Sequence, residues 1–149
     1  MWLYSEEILQ FIGDTKREIA KILCNELGVK VVGNRFHYGH SSYPLKIVVY
    51  NHKSMWGYFD PEFYEIGFHL RLMHLPKERQ RQVIRHELAH YITHIDHGPD
   101  ILPHGPEFKA LCRKIGWDEE VGRACFHLET ADTPPPSTPK KKEFLATLP

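Results

Sequence analysis

Apolar residues near the N-terminus recur at Ile8, Leu9, Phe11, Ile12, Ile19, Ile22, Leu23 and Leu27. These intervals mark one face of a 3.6-residue helix, so residues 5–27 are predicted to form an amphipathic helix. Ser5 is a suitable N-cap, and Gly28 stands where a helix stop is expected. The rhythm then changes. Four short stretches rich in β-branched and aromatic residues follow: Val29 to Tyr38, Leu45 to Tyr50, Met55 to Phe59 and Phe63 to Leu70. Gly33-Asn34, Gly39, Asn51 and Asp60-Pro61 punctuate them, which predicts a small, mainly antiparallel sheet joined by short turns. Helical spacing resumes at Pro76 and runs to about His97, where Gly98-Pro99 stops it. Pro106 opens another helix, with Phe108, Leu111, Cys112 and Ile115 on one side and Gly116 at its end. A helix, a group of strands and two further helices predict an α+β fold.

The pattern stops after Leu128. Residues 129–149 contain Pro134-Pro135-Pro136, Pro139 and Lys140-Lys141-Lys142, a composition that cannot build a core. The expected organisation is one domain over residues 1–128 and a disordered Pro/Lys-rich tail over 129–149. No repeat of solenoid period is visible.

Composition narrows the function classes. The 149 residues suffice for one core. Lys+Arg and Asp+Glu both number 19, so bulk charge calls for neither nucleic acid nor an anionic membrane as partner. A local excess of Arg71, Lys77, Arg79, Arg81 and Arg85 over Glu78 reads as a solvated helix face. The three cysteines, Cys24, Cys112 and Cys125, are widely spaced, which speaks against a disulfide framework or a zinc ribbon. Cys112 is expected to act as a small buried hydrophobe. The N-terminus lacks a basic segment followed by an apolar one, and no apolar run is long enough to span a bilayer. The expectation is a cytoplasmic monomer without membrane association.

Histidine is unusual, at 11 copies, and its spacing matters more than its number. Residues 86–90 read His-Glu-Leu-Ala-His. On a helix, side chains four apart lie about 40° apart around the axis and about 6 Å along it. Two such imidazoles can meet one ion, and a carboxylate on the residue after the first can reach a water beside that ion without being a ligand. A chain of this composition would contain the pattern by chance about 7% of the time, so context must support it. Ile84, Leu88, Tyr91, Ile92 and Ile95 cluster on one side of the same helix, within about 100° of arc, with His86 and His90 nearly opposite.

A third ligand is needed. His94 lies about 12 Å along the axis from His86, and His97 about 10 Å from His90. Ligand nitrogens of one zinc are only about 3.3 Å apart, so neither can join the pair without a chain reversal. Asp96 occupies the position metzincins use, but Thr93 replaces the glycine that turns the chain there. His104 follows a return of six residues, Gly98 to Pro103, that starts with the breaker Gly98-Pro99, and Pro106 opens a rigid helix just after it. His104 is therefore the preferred third ligand, with Asp96 as the alternative. Three histidines leave one zinc position for water, the arrangement of a catalytic site, with Glu87 as general base.

His86-Glu87-Leu88-Ala89-His90, a loop, and then His104-Gly105-x-x-Phe108 resemble the SprT-like family, which includes bacterial SprT proteins and the Spartan-type proteases that degrade DNA-crosslinked proteins. The downstream half is the more discriminating, and the resemblance covers roughly residues 1–128. It implies a zincin-like metallopeptidase fold with one Zn²⁺ on His86, His90 and His104 and with Glu87 catalytic. The paired cysteines of the C-terminal zinc ribbon carried by many bacterial members are missing, and Cys125 stands alone. Strands beside zincin-like clefts can pair with an extended peptide, which directs attention to Phe63–Leu70. Trp56, Tyr58, Phe59 and Tyr64 are expected in the core, and His37, His40, His52, His69 and His74 at the surface or in loops.

The leading expectation is a zinc endopeptidase acting on protein or peptide. At most weak DNA association is expected, through Arg71–Arg85 and Lys140–Lys142. The alternatives are a non-enzymatic, zinc-stabilised DNA- or protein-binding module and a zinc hydrolase of non-peptide amides. Glu87 separates the first alternative from the enzymes, because a purely structural zinc has no use for it.

Overall fold

The computed structural model describes residues 4–52 and 54–117. The expected tail at 129–149 lies outside the described residues, as does Cys125. The order is α1 (Glu6–Asn25), β1 (Val31–Val32), β2 (Arg35–Tyr38), β3 (Ser41–Pro44), β4 (Lys46–Tyr50), β5 (Gly57–Asp60), β6 (Glu65–His69), a 3₁₀ turn (Leu70–His74), α2 (Lys77–His97) and α3 (Pro106–Ile115). The fold is α+β, as expected. Among the described residues no helix is long and apolar enough to cross a membrane.

Helix ends follow local chemistry. The Ser5 hydroxyl accepts from the Ile8 N–H at 3.2 Å and caps α1. The helix ends at Asn25, slightly short of the predicted Leu27. Pro76 precedes α2, and Gly98 ends it with φ 77°. Gly116 ends α3 in the left-handed region, with φ 85°.

The strands depart from expectation. The stretch Val29–Tyr38 is a hairpin rather than one strand. Val32 pairs with Arg35 around Gly33-Asn34, and Gly33 has φ 60°. Tyr38 pairs with Ser41 around Gly39-His40, with Gly39 at φ 62°. Each turn puts glycine first of its two central residues, where an L side chain would be strained. The second hairpin brings in β3, which composition did not announce. Instead of one mainly antiparallel sheet there are two of three strands, β1-β2-β3 and β4-β6-β5. The first is antiparallel throughout. The second is mixed, because β6 inserts between β4, to which it runs parallel, and β5, to which it is antiparallel. The chain changes sheet at Pro44-Leu45. Proline lacks the N–H to extend a ladder, and the Leu45 N–H donates instead to the Asn34 carbonyl at 2.7 Å.

One core joins these parts. Ile19, Ile22 and Leu23 of α1, Phe36 of β2, Ile66 and Phe68 of β6, and Val83, Ile84, Leu88 and Ile92 of α2 are buried together with Phe108 of α3. Of the four aromatics expected in the core, Trp56 is fully enclosed, while Tyr58, Phe59 and Tyr64 are half-buried. Arg81 and Arg85 were expected to be solvated. They reach α1 instead, pairing with Glu18 at 2.5 Å and Glu26 at 3.0 Å. His69, expected at the surface, is buried between Tyr50 and Trp56.

Candidate metal centre

Residues 83–93 of α2 are enclosed on nearly every side, because the strands cover one side and α3 with the loop before it covers another. The apolar stripe is where the spacing put it. The opposite face is also largely covered, so the histidines sit between α2 and α3 rather than on an open surface. His86 and Glu87 are each only 4% exposed, and His90 and His104 are half-buried.

The chain reverses after Gly98, as expected. The Gly105 N–H closes a turn on the Leu102 carbonyl at 3.1 Å, with Pro103 and His104 between them. A Cβ on Gly105 would lie 3.0 Å from the Leu102 Cβ, so the glycine of His-Gly-x-x-Phe lets this turn close tightly. Pro106 then starts α3, and the turn holds His104 over α2.

The three imidazoles meet through the same atom. The Nε2 atoms of His86 and His90 are 3.2 Å apart, those of His90 and His104 are 3.0 Å apart, and those of His104 and His86 are 3.2 Å apart. Nitrogens bound to one tetrahedral zinc are about 3.3 Å apart. A neutral imidazole carries one N–H, so three Nε2 atoms facing one another cannot all be satisfied by mutual hydrogen bonds. A cation accepting three lone pairs resolves the conflict. The protonation preferences agree. Burial, with its neighbours His86 and His104, holds His90 down to about 2, and burial with nearby Lys109 lowers His104, so both offer lone pairs at neutral pH. These residues therefore fit a metal ion, and this is the group of potential ligands that the described residues bring together.

The ring of Phe108 lies 4.6 to 5.2 Å from all three imidazoles and closes the site from α3. Its place in the motif is thereby explained as packing that holds the ligand rings. Burial alone pushes the Glu87 carboxyl up to about 8. A dication nearby would draw it back toward the ionised form. Asp96, the alternative ligand, is exposed and accepts from the Tyr38 hydroxyl at 2.8 Å. His94 packs against Phe59 and Tyr64 instead of joining the cluster.

Sequence reasoning missed Gly57 at the start of β5. A Cβ there would lie 3.1 Å from Glu87 Cγ and 3.2 Å from its Oε2. The available signal was a glycine inside an otherwise strand-like run, which often marks close approach of another group.

The SprT-like family model matches residues 32–129, a span that begins within β1 and contains β2 to β6 together with His86, Glu87, His90 and His104. No curated protein and no solved structure matches the chain.

Proposed function

This chain belongs to the SprT-like family, and we propose that it is a zincin-like, zinc-dependent peptidase. His86, His90 and His104 would hold one Zn²⁺, and Glu87 would serve as general base. The observation that carries this reading is the meeting of three Nε2 atoms within 3.0–3.2 Å, with a buried carboxylate on the residue next to the first of them.

Zinc in such a site supplies a Lewis acid that polarises a carbonyl and makes a water more acidic. The chain's own residues supply the rest. Glu87, ionised, takes a proton from the attacking water and gives it to the departing amine nitrogen. Its enclosure keeps bulk water from competing for that proton. Phe108 keeps the three rings from turning away. A peptide is favoured over another amide by the sheet. The strand first suggested for pairing, β6, is central and has neighbours on both sides. The edges are β4 and β5, and the first residue of β5 lies against Glu87. The His69 N–H donates to the Trp56 carbonyl at 2.9 Å. By the alternation of an antiparallel ladder, Gly57 and Phe59 then turn their backbone groups outward. An extended substrate could pair there, beside the base.

The test is metal analysis of purified protein together with cleavage of a casein-type substrate, with and without chelator and single-stranded DNA. Glu87→Gln is expected to keep its metal and lose roughly 10²- to 10⁴-fold in kcat. Full activity in that variant would remove Glu87 from the chemistry. Bound metal without cleavage of any protein would favour the binding-module alternative.

A further inference from the structure

Gly57 and Gly67 are neighbours across the β5–β6 ladder, where Tyr58 pairs with Gly67 and Gly57 with Phe68. The two glycines make room on opposite faces. A Cβ on Gly67 would run into the Tyr58 ring at 2.0 Å, so Gly67 accommodates a cross-strand aromatic. A Cβ on Gly57 would meet α2 at two atoms of Glu87 and at Val83 Cγ1, each within 3.1–3.2 Å. Gly57 is not among the residues with positive φ, so its backbone would suit any L residue. What this position requires is space.

We infer that Gly57 is a positioning residue whose missing side chain forms the seat of the Glu87 carboxylate. The inference rests on the reading of Glu87 as the base. Val83 is fully buried and β-branched, which leaves it one comfortable rotamer on a helix. A new methyl at 57 would press against both neighbours, and the longer, unbranched Glu87 is the one able to yield. A shift of a few tenths of an ångström does little to a fold but misaligns a proton acceptor, and about 1 Å can cost 100-fold in rate. Metal ligation should be untouched, because the three nearest atoms to the new methyl belong to Glu87 and Val83.

The test has an activity arm and a stability arm. In the first, Gly57→Ala is loaded with Co²⁺, whose visible absorption reports the ligand set. The expected result is metal uptake and spectrum like the parent, kcat lowered roughly 10-fold or more, and KM within about twofold. Adding Val83→Ala should restore part of kcat by giving the methyl somewhere to go. Unchanged kcat in Gly57→Ala, a loss confined to KM, or a further loss on adding Val83→Ala would overturn the inference. In the second arm, thermal melts of metal-free protein compare Gly57→Ala in the parent with Gly57→Ala in a Glu87→Ala background. The substitution should lower Tm less once the carboxylate is gone. If Gly57→Ala prevents folding of the parent, recovery of a folded protein with Glu87→Ala supports the inference. Additive effects, or failure to fold in both backgrounds, would overturn it. Glu87→Gln separates the two readings. If that variant is fully active, Glu87 is not the base; if it is inactive while Gly57→Ala is normal, only the role of Gly57 falls.

Discussion

Among the described residues, two buried places hold imidazoles, and each handles nitrogens cut off from water differently. At the metal centre three Nε2 atoms face one another and leave a conflict that a cation resolves. At the end of β6, the fold supplies a donor to the His69 ring. Its Nδ1 accepts from the Arg71 N–H at 3.1 Å, starting the 3₁₀ turn, and its ring packs edge-on against Tyr50 and Trp56. Burial lowers His69 to about 4, and it lowers His90 further. Depressed basicity therefore does not distinguish a site from a strut. The distinguishing feature is whether a ring nitrogen points at a protein donor or at other ring nitrogens.

The largest effect that could break this contrast is on metal content. His104→Ala should reduce bound zinc from about one equivalent to nearly none and abolish cleavage, as read by elemental analysis and casein turnover. Zinc retained in full would mean that the convergence at 104 is not ligation.

His69→Ala should do the opposite. It is expected to leave metal content intact while lowering stability by about 2–4 kcal/mol in denaturant titrations, through a cavity and a lost turn cap. Loss of metal in that variant would join the two regions into one.

The contrast can also be sharpened with acid. The folded His69 pKa, about 4, lies below the ordinary value of 6.5, so the unfolded chain binds the extra proton first. Its contribution is fully present above pH 6.5 and is lost as pH falls toward 4, at most about 3 kcal/mol. In metal-free protein, His69→Phe should flatten that part of the stability profile, and an unchanged profile would assign it to other groups.

The smallest effect expected is at Glu26. This carboxylate accepts from Arg85 at 3.0 and 3.1 Å and from the Trp117 indole at 2.6 Å, tying the end of α1 to α2 and to the segment just past α3. Burial would raise its pKa, but the hydrogen bonds from Arg85 and Trp117 outweigh burial and hold it below 4.5. Its contribution is thus present above pH 4.5 and lost as pH falls through the depressed value. Glu26→Gln should cost about 1 kcal/mol at neutral pH and less in acid, without altering metal content.

Much of this was legible in the chain. Capping by Ser5, the stops at Gly98 and Gly116, and the pairing of His86 with His90 all follow from relations within a few residues, where backbone geometry leaves little choice. His104 was legible because a breaker and a helix-starting proline bracket its return path. The strands were less so. A parallel neighbour for β6, a change of sheet at Leu45 and the enclosure of His69 depend on which distant surface covers a segment, and no local period encodes that. Gly57 shows the limit most clearly. As a letter it suggested a gap in a strand, and only the packing of α2 against β5 determined that the gap holds the carboxylate of Glu87.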